Sequence, residues 1–133
     1  MDGTPTVPVR RQIAGFLKRF KKAARLNGGI DFVPRKERLD SLAELGLTVQ
    51  AANEAVFALS PAFYCEGPLP ENHGFPGEVW VFGKHIAGEL VYIKLYLSTV
   101  AGERRPAKLI SFHKARQPMR FPHGSGQPGG DDV

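Results

Sequence analysis

The sequence predicts an α+β fold, an antiparallel sheet packed against helices that precede it. Two stretches carry this reading. From Trp80 to His113 the chain reads as three strands joined by two turns. The middle strand, Glu89 to Ser98, alternates, with Val91, Ile93, Leu95 and Leu97 on one face and Tyr92, Lys94, Tyr96 and Ser98 on the other. From Gln12 to Leu26, by contrast, apolar residues recur at helical spacing.

Residues 1–9 carry Gly3, Pro5 and Pro8 without a periodic pattern, and a disordered tail is expected there. In the first helix Ile13, Phe16, Leu17, Phe20 and Leu26 form the apolar stripe. Arg11, Lys18, Arg19, Lys21, Lys22 and Arg25 occupy much of the rest. This basic face is either a solvated surface or a phosphate contact. Asn27, Gly28 and Gly29 stop the helix, because glycine adopts the left-handed conformation of a helix end readily. Ile30 to Pro34 is extended, since Pro34 disfavours helix at Val33.

Lys36 to Leu45 is a short helix with Leu39, Leu42 and Leu45 on one side, ended by Gly46. Thr48 caps a third helix through Leu59, with Ala52, Val56 and Leu59 facing inward. Ser60-Pro61 signals a further turn over Pro61 to Tyr64. Cys65 to Gly77 reads as the longest internal loop, with three prolines and three glycines. Its Glu66, Glu71, Asn72 and His73 lie within reach of the sheet face, and long aperiodic loops are often functional. After the strands, Lys114 to Pro122 is basic and irregular. Residues 123–133 are glycine-rich and expected to be disordered, leaving one domain over 10–122.

The register of the last two strands follows from the pattern. Opposed residues of an antiparallel pair share a face, and a one-residue slip reverses that face. Placing Ile110 and Phe112 in the core with Ile93 and Leu95, and Ser98 opposite Ala107, sets His113 opposite Tyr92 and Ser111 opposite Lys94. A Tyr–Lys–His cluster on one sheet face is therefore expected.

Composition bounds the rest. A chain of 133 residues fits one modest core, and its 42% apolar content is ordinary for a globular protein. No apolar run approaches the ~18–20 residues of a membrane span. MDGTPTVPVR lacks the apolar region of a secretory signal, so a cytoplasmic protein is expected. Cys65 is the single cysteine, which excludes an internal disulfide and suits a reducing compartment. A net charge of +5 favours an acidic partner, either nucleic acid or protein. His73, His85, His113 and His123 show no metal-ligand spacing, and no phosphate-binding glycine loop follows a strand, so no metal or cofactor is expected. Cys65 reads as a small packed residue rather than a nucleophile.

The cluster suits metal-free RNA cleavage. Histidine moves protons near neutral pH, lysine and arginine stabilise charge on a phosphorane-like transition state, and tyrosine stacks on a base or orients a hydroxyl. His113 is the candidate general acid and Lys94 the charge stabiliser. Tyr92 orients or stacks on substrate, and Glu66 and Tyr92 are the candidates for general base. Lys84, Tyr64, Glu66, Arg116 and Arg120 are the candidate RNA contacts. The alternative is a module that binds RNA or an acidic partner on the same basic face without chemistry. A DNA-binding reading through the first helix lacks a helix-turn-helix, because Gly28-Gly29 and Pro34 interrupt the region.

ELGLT followed by an amphipathic helix, then ALSPAFY, GEVWVFGKHIAGELVYIKL and LISFHKA…PMRFP, resembles the MqsR family of type II toxins over roughly Phe16 to Pro122. The resemblance implies a RelE-like fold. It also implies a ribosome-independent endoribonuclease that cuts single-stranded messenger RNA and inhibits translation. Such a toxin is held inactive by a cognate antitoxin, often a zinc-binding, helix-turn-helix DNA-binding protein. The family tyrosine and lysine of the Val-Tyr-Leu/Ile-Lys strand fall on Tyr92 and Lys94. Two active-site lysines of the founding member fall on His113 and Cys65. A family glutamine falls near Val79 to Val81, where this chain has none.

Overall fold

The computed structural model describes residues 7–32, 36–71 and 73–124. Three helices, α1 (Arg10–Leu26), α2 (Lys36–Leu45) and α3 (Val49–Phe57), are followed by a single turn of 3-10 helix, Pro61–Phe63. Four antiparallel strands then pair in sequence order: β1 (Tyr64–Leu69), β2 (Gly77–Ile86), β3 (Glu89–Ser98) and β4 (Ala107–Lys114). No helix among the described residues is long and apolar enough to cross a membrane.

α1 buries Ile13, Phe16, Leu17, Phe20 and Ala24 against the sheet. The Phe16 ring stacks on Trp80 at 4.7 Å between centroids and faces Phe82 at 6.3 Å. Each such fully buried side chain contributes about 1.5–3 kcal/mol of hydrophobic stabilisation. The expected stripe is correct except at its end. Leu26 is 72% exposed and Ala24 takes the inward position, because Ala24 continues the i, i+4 row from Phe20 while Leu26 falls two residues off it. In α2, Leu42 and Leu45 are buried but Leu39, in the first turn, is 45% exposed. Thr48 caps α3 as expected, its hydroxyl oxygen accepting from the Ala51 amide at 3.0 Å. Ala52, Val56 and Leu59 face inward, though α3 itself ends at Phe57. Ile30 is buried, and Asp31 runs beside β4: its amide donates to the Ala107 carbonyl, and its carbonyl accepts from the Leu109 amide. Val33 and Pro34 lie outside the described residues.

Three expectations need correcting. The stretch from Cys65 is not all loop: its first part belongs to β1, an edge strand whose pairing slips twice, between Tyr64 and Glu66 and between Glu66 and Leu69. Gly67 and Pro68 disguised it, since both are depleted from strands and proline persists only at edges or bulges. Ile110 is not paired in the core. Tyr92 does face His113, and Lys94 faces Ser111, but Leu95 faces Leu109, so Ile110 is the extra residue of a bulge. Leu109 enters the core at 1% exposure in its place, and Leu97 rather than Ser98 meets Ala107. Arg38 of α2 donates to the Ile110 carbonyl at 3.1 Å, which satisfies the group that the bulge frees.

The third correction concerns the chain ends. Pro8 is buried, and its carbonyl accepts from the His123 ring at 2.8 Å. Arg10 donates to the His123 carbonyl. The two ends are thus fixed to each other at residues assigned to disordered tails. The remainder of those tails, 1–6 and 125–133, lies outside the described residues.

Candidate active site

The face of the sheet away from the helices carries two rows of side chains across the strands. Pairing sets Glu66, Val81, Lys94 and Ser111 in one row, and Gly83, Tyr92 and His113 in the next. His113 lies flat against Tyr92, with ring centroids 5.1 Å apart and planes 10° from parallel. Its Nδ1 is 2.8 Å from the Lys114 carbonyl oxygen. A carbonyl only accepts, so Nδ1 carries the proton and Nε2 is left to exchange one with a ligand.

The irregular segment after β4 folds back over these rows. Gly83 makes this possible. A Cβ there would meet Phe121 Cζ at 2.8 Å and Met119 Sδ at 2.9 Å, so glycine lets the two side chains rest on the sheet where they now lie. Between segment and sheet lies a cavity of about 590 Å³. Tyr92, His113 and Ser111 form its floor, Glu66 and Cys65 one side, and Arg116 and Arg120 the overlying segment. The bulge in β1 places Cys65 and Glu66 on the cavity together. Among the described residues neither arginine is paired with a carboxylate; Lys114, by contrast, bridges Glu44 at 3.5 Å and Glu89 at 3.8 Å.

The environment assigns chemical states to two groups. Burial, with the nearby Glu66 and Cys65, pushes the Tyr92 phenol above its ordinary value. Tyr92 therefore stays protonated near neutral pH and offers a hydrogen bond rather than a base, which leaves Glu66 as the carboxylate that shares the cavity with the histidine. Burial, assisted by Glu66 and opposed by a hydrogen bond from the Gly83 backbone, pushes the Cys65 thiol up to about 12. A thiol so held is a packed neutral group, not a nucleophile.

The fold brings His113, Tyr92, Glu66, Arg116 and Arg120 to one cavity. Lys94 shares the face and the row of Glu66, Val81 and Ser111, but unlike those three it does not line the cavity. Tyr64 and Lys84 are not brought there. They pair with Phe82 and Val91 and so project to the helix-covered face. Tyr64 is 4% exposed, donates its hydroxyl proton to the Gly67 carbonyl at 2.7 Å and packs edge-on to Trp80. The Lys84 ammonium stands over the Phe63 ring at 5.1 Å. Sequence reasoning missed Gly83, Met119 and Phe121. A glycine inside a strand marks close approach of another segment, and two large apolar residues in a basic coil supply that segment. Among the described residues no group of three or more His, Cys, Asp or Glu side chains converges to hold a metal ion.

The chain matches no family model, no curated protein and no solved structure.

Proposed function

We propose that the chain is a metal-independent endoribonuclease with a RelE-like fold. The observation that carries this reading is the cavity that His113, stacked on Tyr92, lines together with Glu66, Arg116 and Arg120. In the proposed reaction Glu66 takes the proton of a ribose 2′-hydroxyl, and the 2′-oxygen attacks the adjacent phosphorus. The bond to the 5′-oxygen breaks, and His113 gives that oxygen its Nε2 proton. The products are a 2′,3′-cyclic phosphate and a 5′-hydroxyl. Arg116 and Arg120, with Lys94 from the next row, stabilise the added negative charge on the phosphate. Tyr92 fixes the plane of the imidazole and supplies a neutral donor. The resemblance of the strand and loop motifs to the MqsR toxins extends the proposal to a cytoplasmic messenger RNA interferase restrained by a cognate, zinc-binding antitoxin.

The test is cleavage of a long single-stranded RNA in EDTA by wild-type protein and His113→Ala, with circular dichroism of both. The expected result is discrete cuts ending in 2′,3′-cyclic phosphate, slowed ~10²-fold or more in the variant, the range for loss of a general acid. A folded His113→Ala that cuts at the wild-type rate would sink the assignment. Salt-sensitive RNA retention without any cut by wild type would replace the enzyme by a binding module.

A further inference from the structure

α1 has no acidic residue and seven basic ones. Two of these are engaged elsewhere: Arg10 at the His123 carbonyl, and Arg19 in a two-pronged pair with Glu78. Three others, Lys18, Lys21 and Arg25, recur at i, i+3 and i+7 and so line one face of the helix. They form one wall of a groove of about 370 Å³ whose other wall is Leu59, Ser60 and Pro61. Among the described residues no carboxylate lines it.

These cations are held in place by neutral partners. Lys21 donates to the Leu59 carbonyl at 2.9 Å. The Arg25 guanidinium stands over the Phe57 ring at 5.4 Å, and Lys84, behind the groove, stands over Phe63. Burial and the like charges of Arg25 and Lys84 hold the Lys21 ammonium below its ordinary value. Fixed, crowded cations without counter-charges favour arrival of an anion, because each neutralised contact releases bound counterions or relieves repulsion.

We infer that this groove is an exosite for the phosphate backbone of single-stranded RNA, an inference that rests on the ribonuclease reading. Two observations favour RNA over an acidic protein. The cations advance along a line, about one per 5.4 Å helical turn, which suits a linear polyanion. The groove also lies a short way along the chain from the cavity: Pro61 lines one and Cys65 the other. Four residue steps of extended chain span at most about 14 Å. A strand of RNA that rounds the β1 edge of the sheet, with its scissile phosphate at His113, would bring flanking phosphates toward α1.

The experiment uses the full chain carrying His113→Ala, so that the probe survives, and a fluorescein-labelled single-stranded RNA titrated across salt concentrations. Adding Lys18→Gln, Lys21→Gln and Arg25→Gln should flatten the slope of log affinity against log salt by about 2, three contacts at ~0.7 each. The same slope change corresponds to about 10²-fold weaker binding at 0.1 M salt. Lys18→Gln alone changes an exposed side chain with no hydrogen bond or ion pair among the described residues, so it keeps the fold and should carry a slope change of about 0.7. An unchanged slope in both variants, with the parent binding RNA, overturns the exosite alone. Failure of the parent to bind RNA overturns the ribonuclease reading as well. Loss of poly-glutamate binding with RNA binding intact would assign the groove to an acidic protein and overturn the inference.

Discussion

The two faces of the sheet are closed by different means. On one, α1 lays a periodic stripe over Trp80, Phe82 and their neighbours, and the contact is solid: Phe16, Phe20, Phe82, Ile93 and Leu95 are all at 0% exposure. On the other, residues 115–121 cross the strands without regular structure and touch down at Gly83 through Met119 and Phe121. Periodic closure fills space. Irregular closure leaves a cavity, and most of the side chains that the strands project into it, Cys65, Glu66, Tyr92, Ser111 and His113, are polar. Stability and chemistry are thereby assigned to opposite sides of the same backbone.

The largest test of that division compares one residue from each face. Phe82→Ala removes a fully buried ring packed by Phe16 and Tyr64, and should cost ~3–5 kcal/mol, a large share of the ~5–15 kcal/mol that stabilises a typical domain. His113→Ala, at a partly exposed position, should cost less than ~1 kcal/mol while abolishing most of the cleavage. Urea denaturation of the two variants is the measurement. Equal losses of stability would erase the distinction between the faces.

A smaller effect probes how the irregular cover is seated. Gly83→Val places carbon where Phe121 and Met119 now lie, so these side chains must turn away or the 115–121 segment that carries them must lift. Overpacking of this kind costs ~1–3 kcal/mol. Trypsin should then cut faster at Arg116 and Arg120. Cleavage of RNA should fall by as much as ~10²-fold, since a displacement of about 1 Å in positioning groups costs that much. His113 and Tyr92, carried by the strands, should keep their stacking. Unchanged proteolysis and unchanged cleavage would show that Gly83 does not seat the segment.

The same division explains what the sequence disclosed. The β2–β3 hairpin and the Tyr92–His113 pairing were legible because alternation marks a half-buried strand residue by residue. The α1 stripe was legible because its period is equally regular. The bulges at Cys65 and Ile110 were not, because an inserted residue leaves no mark in composition, and its effect is to reverse the face of everything beyond it. Tyr64 came to the wrong side of the expected site for a related reason, since its face depends on the pairing of β1, which was hidden by Gly67 and Pro68; Lys84 pairs with Val91 of the legible hairpin, so its place on the helix-covered face follows from the same alternation. The roof of the cavity was visible as basic coil but not as a roof, since nothing local says where a coil lands.

Cys65 gives the finest test, because it sits where the two kinds of closure meet. It lines the cavity, and burial holds its thiol up to about 12. The sign follows from proton counting. Between the ordinary thiol value and about 12 the unfolded chain has lost a proton that the folded chain keeps, so stability falls as pH rises through that window. Cys65→Ala should remove this part of the alkaline loss. At pH 8 the folded thiol forms about 10³-fold less thiolate than the unfolded one, while the greater nucleophilicity of a more basic thiolate restores roughly 1.4 powers of ten. Iodoacetamide should therefore modify Cys65 about 40-fold more slowly in the folded chain than in urea. Equal rates would mean that the irregular cover leaves Cys65 as open as an unfolded residue. The thiol would then stand beside His113 as a reactive group, and the proton transfers assigned to Glu66 and His113 would have a competitor in the same cavity.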